Sequence, residues 1–265
     1  MSVRPPRKLT ALVLTTLVGA VAGVSSAVPA VATTSEDGLW YYTATGLDRA
    51  HQISTGEGIT VAVLDGPINP AVPDLVGTDL VTHEVGQCTR EDGTSIAGVG
   101  TNQDAEHATN VTSLIIGTGA GTGGQPGIRG VAPGASVLHY AVISDDCWDI
   151  DLAGGIDAAI DAGADIITIS VATELDEGDD EALARAQREG VIVVAAAPNE
   201  AVTDLGWPAG ANGVVAVASA DANLQLKPDA VTSRQLGVVA PGVGIRILNG
   251  PDGGWDTYRL QTGNS

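Results

Sequence analysis

The sequence predicts an α/β fold built on a mostly parallel β-sheet. Two observations carry that prediction. Short apolar, β-branched runs recur at residues 58–65 (GITVAVLD), 136–142 (SVLHYAV), 164–170 (ADIITIS) and 191–197 (VIVVAAA), the composition of strands buried on both faces. Segments with helical periodicity lie between them, and strand–helix–strand repeats join right-handedly into parallel sheets. No internal repeat or low-complexity linker follows the N-terminal leader, so a single domain is expected. Hydrophobic residues make up 44% of the 265 positions, enough for a core made from Ala, Val, Ile and Leu in a chain without Phe.

The leader comes first. Arg4, Arg7 and Lys8 precede the apolar stretch LTALVLTTLVGAVAGV, and AVA at 30–32 supplies small residues for cleavage. Residues 1–32 therefore read as a signal peptide, with a secreted or envelope-associated chain starting near Thr33. An uncleaved anchor is the competing reading, disfavoured by the short apolar core. No second long apolar run exists to span a membrane.

The strand at 58–65 ends on Asp65, and functional residues of parallel sheets gather at such carboxyl ends. Taken alone, Asp65 reads first as a turn or helix-cap aspartate. In DAEHATNVTSLIIGTG, Ala108, Val111, Leu114 and Ile115 share one helical face and Gly117 closes the run, so His107 sits at a helix N-terminus. His51 and His83 lack such placement, and His139 interrupts a strand as a packed core residue would. Gly119, Gly121 and Gly124 satisfy GxGxxG, but a helix precedes them where that fingerprint needs a strand. A surface loop is expected there, and no nucleotide cofactor. The sequon NVT at Asn110 falls inside the helix and carries no weight.

The later elements are read in the same way. Leu152, Ile156, Ala159 and Ile160 recur at helical spacing before Gly163. Residues 181–189 begin with acids, carry Arg185 and Arg188 late and stop at Gly190, in accord with the helix dipole. The loop after Ala197 is a second carboxyl-end site.

With 32 acidic against 12 basic residues, the net charge of −20 excludes nucleic acid as a partner, since phosphate binding needs clustered cations. The acids read as a solvated surface and not as a metal site. Cys88 and Cys147 lack metal-ligand spacing, and in an exported chain an even pair reads as a disulfide before two free thiols. Asp65, His107 and Ser265 occur in one of the chain orders of a serine-protease triad. A serine hydroxyl needs an imidazole to take its proton, and the imidazole needs a carboxylate to orient it. Three residues in an order are a weak signal by themselves.

The flanking stretches strengthen it. GITVAVLDGPINPAVPDL, EHATNVTSLIIGTG, IRGVAPGASVLHYAV, IDAAIDAGADIITISVA, VIVVAAAPNE and the run ending VVAPGVGI follow one another. As a set they resemble the subtilisin-like serine peptidases, the subtilases, from about Trp40 to the end. The lead-in LWYYTATGLDRAHQISTGEG looks like the actinobacterial, mycosin-type branch. The resemblance implies a three-layer, doubly wound sheet, with 33–57 a short extension wrapping a catalytic domain at 58–265. It implies Asp65 as triad aspartate, His107 as general base, Ser265 as nucleophile and Asn199 as oxyanion donor. Ser170, Val171 and Ala172 match the substrate-binding strand. It further implies a protein or peptide substrate, a type VII secretion machinery as partner, and no cofactor, with structural calcium unassigned. A helix follows the serine in the family, so the C-terminal part of the fold is expected to be missing. Cys88 and Cys147 would border one cleft in such a fold, as a disulfide requires.

Departures stand beside the matches. Gly66 and Pro67 follow Asp65, HATN replaces HGTH, Pro198 precedes Asn199, Ala172 stands for a glycine and Asn264 for a threonine. An exported serine endopeptidase and a non-catalytic relative that binds peptides or supports a secretion complex are thus both open.

Overall fold

The computed structural model describes residues 37–227, 230–231 and 233–263. The expected signal peptide, Asn264 and Ser265 lie outside the described residues. In chain order the elements are α1 (Trp40–Ala44), α2 (Leu47–Ala50), β1 (Thr60–Asp65), β2 (Leu80–Val81), β3 (Val85–Thr89), β4 (Ser95–Ala97), α3 (Ala105–Ile116), β5 (Ser136–Ala141) and β6 (Asp149–Ile150). They continue with α4 (Leu152–Asp161), β7 (Ile166–Ile169), α5 (Asp179–Glu189), β8 (Ile192–Ala196), β9 (Val215–Ala220), β10 (Leu236–Pro241), β11 (Ile245–Leu248), α6 (Gly250–Gly253) and β12 (Tyr258–Gln261).

Seven strands form the central sheet in the order β10–β9–β8–β7–β1–β5–β2, and every neighbouring pair runs parallel. The expected α/β class is therefore what the chain adopts. β1 lies between β5 and β7; the chain builds the β5 side first, placing β2 at the edge and then β5, and from β7 it winds the other way. That reversal opens a crevice at the carboxyl end of β1.

The unbroken apolar run of β1 has a two-sided cause. Ala62 and Leu64 pack with Leu152, Ile156, Ala159, Leu183 and Ala186 of α4 and α5. Val61 and Val63 pack on the other face with Ala108, Val111 and Ile116 of α3. Helices thus cover both faces, and each fully buried side chain such as Leu64 or Ile156 contributes about 1.5–3 kcal/mol.

Local signals set the helix ends. Asp151 caps α4, accepting from the Gly154 amide at 2.7 Å. α5 opens on Asp179, Asp180 and Glu181 and closes at Gly190, whose φ of 81° is left-handed. Gly117 ends α3 for another reason: its φ is −54°, but a Cβ there would strike the Ser113 and Ile128 carbonyls.

The glycine-rich segment after α3 lies on the surface as expected, and it is tied to the fold: the Gly121 amide donates to the buried Asp74 carboxylate at 3.2 Å. Asn110 is buried, accepting from the Leu248 amide at 2.7 Å and donating to its carbonyl at 3.3 Å. A side chain held so is no glycan acceptor. α1 joins the extension to the domain, with Trp40 and Tyr41 packed on Ile245 and the Trp40 indole donating to the Val243 carbonyl at 3.1 Å. Among the described residues, no helix is long and apolar enough to cross a membrane.

Candidate active site

Asp65 closes β1 at the crevice, in register with Ala141 of β5. Its carboxylate is 1% exposed and accepts from the Gly66 amide at 2.7 Å. His107, the third residue of α3, brings Nδ1 to 2.8 Å from Oδ1 and 2.9 Å from Oδ2 of Asp65. A carboxylate only accepts, so Nδ1 carries the proton and Nε2 is left with a free lone pair. Burial pulls the His107 pKa down, while the Asp65 hydrogen bond and charge, helped by Glu106, more than offset it; the net shift is upward. The side chain keeps 47% exposure, against 1% for its partner. A buried orienter behind a half-open base is the geometry that proton transfer requires.

The other histidines do different work. His51 bonds Tyr42 and the Val131 carbonyl, and His83 stacks on Tyr140. His139 is wholly buried, as expected. Neither of its ring nitrogens makes a hydrogen bond of good geometry. Burial drives its pKa down to about 4, with the Asp65 charge and the Gly66 backbone offsetting part of the fall.

His107 stands between two cavities. One, of about 300 Å³, is walled by Ser170, Asn199, Arg259, Thr262 and Gly263 among others. A methyl group on Gly263 would lie 3.6 Å from Asn199 Oδ1, so the chain two residues before Ser265 already borders the expected oxyanion donor. The second, of about 290 Å³, holds Asp65, Gly66, Asp104, Ile143, Ser144, Asp145 and Val171. Ser170 and Val171 thus take opposite cavities beyond the end of β7, while Ala172 is exposed on the same segment.

Several contributors were missed in the sequence. Glu106, beside His107, pairs with Arg259 and accepts from Gln103 at 2.7 Å, fixing one wall. Lys227 donates to the Asn199 carbonyl at 3.0 Å. The Arg259–Glu106 and Lys227–Asn199 contacts belong to no local pattern, since their members are 153 and 28 residues apart. The disulfide joins Cys88 of β3 to Cys147, with Cα atoms 5.8 Å apart, and tethers the loop that supplies Ile143, Ser144 and Asp145. Among the described residues no group of three or more His, Cys, Asp or Glu is arranged to hold a metal ion.

Known proteins share this arrangement of sequence. The Subtilase family model matches residues 56–265. The chain is 33% identical over 207 residues to the major intracellular serine protease of Bacillus subtilis (strain 168), covering 72% of this chain and 60% of that protein. It is 31% identical over 198 residues to thermitase of Thermoactinomyces vulgaris, covering 73% and 66%. Among solved structures it is similar to fervidolysin from Fervidobacterium pennivorans, a keratinolytic enzyme related to subtilisin, with a TM-score of 0.66 and 27% identity over 85% of this chain and 36% of that one. The chain therefore spans 66% or less of the length of these relatives. A family match over most of the residues agrees with the parallel sheet and with the aspartate–histidine pair at its crevice, and the chain belongs to the subtilase family.

Proposed function

We propose that the protein is an exported serine endopeptidase of the mycosin-type branch, acting through an acyl-enzyme on Ser265. One observation carries the reading: the buried Asp65 carboxylate grips Nδ1 of a half-exposed His107, whose ring opens on a cavity walled by Asn199 and Gly263. Ser265 Oγ attacks the scissile carbonyl carbon while His107 Nε2 takes the hydroxyl proton. The Asn199 amide stabilises the oxyanion. As the C–N bond breaks, the imidazolium returns the proton to the leaving amine. Water then attacks the acyl-enzyme, gives its proton to Nε2, and the acid departs as Ser265 regains its hydrogen. Asp65 stays ionised throughout and holds the tautomer. Support for export comes from the leader at 1–32, and for the branch from the lead-in around residues 39–57.

A fluorophosphonate probe tests the reading on the full chain. Covalent labelling that maps to Ser265 and disappears in Ser265→Ala and His107→Ala is the expected result. A folded chain that takes no label would overturn it and leave the non-catalytic, peptide-binding role.

A further inference from the structure

The side chain next to the base has no step of its own in acyl transfer. Glu106 precedes His107 on α3, and its side chain is only 11% exposed. It pairs with Arg259 of β12 and accepts from the Gln103 amide at 2.7 Å. It lies so close to Gly250 that a Cβ there would strike its carboxylate. Arg259 also donates to the Asn249 carbonyl at 3.2 Å. Both members of the pair line the 300 Å³ cavity together with His107, Thr262 and Gly263. Ser265 follows Arg259 by six residues.

Stability alone does not explain an ion pair at this place. The β11–β12 hairpin already has two anchors. The Leu248 amide donates to Asn110 of α3 at 2.7 Å, and the Tyr258 hydroxyl donates to the buried Asp74 carboxylate at 2.8 Å. Taking a carboxylate out of water is costly, and a partly buried pair does little more than offset that cost. What the pair adds is register: it ties the residue before the base to the strand from which the chain runs on to Ser265. It also sets charge. The charged groups facing His107 are Asp65 of β1, Asp104 and Asp145 in the wall of the smaller cavity, and Glu106 and Arg259 in that of the larger. Arg259 is the one guanidinium or ammonium among the described residues of that set, and its partner Glu106 is one of the groups that raise the His107 pKa.

We infer that Glu106 and Arg259 are positioning residues for the base: their bridge fixes the approach of β12, and of the chain leading to Ser265, to the His107 ring. The inference rests on the peptidase reading of the same cleft. A displacement of about 1 Å between reacting groups costs on the order of 10²-fold in rate, so loss of the bridge lowers turnover while substrate binding holds. Removing Arg259 leaves an uncompensated carboxylate beside the imidazole. Removing the Glu106 charge leaves a lone guanidinium there. The two changes therefore push the proton affinity of His107 in opposite directions, which a bridge that served only to hold the fold would not do.

The test has two arms, both on the full chain with Arg259→Met, Arg259→Lys and Glu106→Gln. In the first, the rate at which a fluorophosphonate probe labels Ser265 is expected to fall about 10- to 100-fold in Arg259→Met. Arg259→Lys, which keeps the charge, is expected to recover most of that loss. On a peptide substrate the loss appears in kcat and not in KM. The second arm does not need turnover: NMR titration of the His107 ring is expected to show its pKa rising in Arg259→Met and falling in Glu106→Gln. A labelling rate unchanged in Arg259→Met, or not recovered in Arg259→Lys, overturns the inference and leaves the peptidase reading standing. So does a His107 pKa that moves the same way in both neutral variants. If the parent chain itself takes no label, the peptidase reading has failed; opposite movements of the His107 pKa then still uphold the bridge as the device that sets this ring, and a pKa that stays put in both variants overturns it.

Discussion

Nδ1 of His107 lies within 2.8 and 2.9 Å of both carboxylate oxygens of Asp65, although 42 residues separate them in the chain. The pair joins the end of a central strand to the first turn of the helix packed over it. Its two members differ sharply in exposure, 1% against 47%. Charge is therefore stored on the buried side and proton transfer is open on the other.

Asp65→Asn removes the hydrogen-bonded charge and leaves an amide that can bond the wrong tautomer. Loss of kcat by about 10⁴-fold is expected. The pH profile adds a sign. A general base must be neutral, and the His107 pKa is raised above its ordinary value, so kcat/KM falls as pH drops through that raised value. In the variant the two largest raising influences are gone and burial remains, so the acid limb moves to lower pH. A limb that does not move would rule out Asp65 as the group that sets it.

Asn199→Ala tests the oxyanion assignment apart from the triad. A loss of about 10²–10³ in kcat with little change in KM is expected. A variant that raised KM alone would make Asn199 a substrate-binding residue instead.

His139 gives a stability prediction with the opposite sign to that of a paired histidine. Its folded pKa is pushed down to about 4 from 6.5, so between those values the unfolded chain takes up a proton that the folded chain refuses. Stability is complete above about pH 6.5 and is lost as pH falls toward 4, at about 1.4 kcal/mol per unit and about 3 kcal/mol in all. In His139→Leu that dependence disappears. Urea unfolding of both proteins at pH 7 and pH 4 reads it as a stability difference that changes by the same amount. A constant difference would contradict the assignment.

Asn110→Ala strips a buried amide–carbonyl pair from Leu248. Leaving that backbone N–H unsatisfied costs about 1–3 kcal/mol, readable as a lower urea midpoint with unchanged m-value. Intact mass of the purified protein is expected to show no glycan at this asparagine.

Local chemistry announced much of this. β1, β5, β7 and β8 were legible because strands covered on both faces need uninterrupted apolar runs, and those runs survive in one dimension. α3, α4 and α5 declared themselves by apolar spacing and by their terminal residues. β2, β4 and β6 hold only two or three residues each, too few to show a period. The antiparallel β4–β3–β6 sheet and the β11–β12 hairpin likewise had no readable pattern.

The site was legible as residue types and not as contacts. Asp65, His107 and Asn199 could be singled out from strand ends, a helix start and a resemblance to a family. Which groups stand behind them could not: Arg259 on Glu106, Lys227 on the Asn199 carbonyl, and Asp104 facing the same space as Asp145. The sequence by itself determined the long buried strands β1, β5, β7 and β8 and the helices α3, α4 and α5, because propensity, capping and two-sided burial act over a few residues. Only the tertiary structure decided their neighbours. The order of strands in the sheet brings residues far apart in the chain to one crevice, and hydrogen bonds and charges act over distances in space that chain separation does not encode.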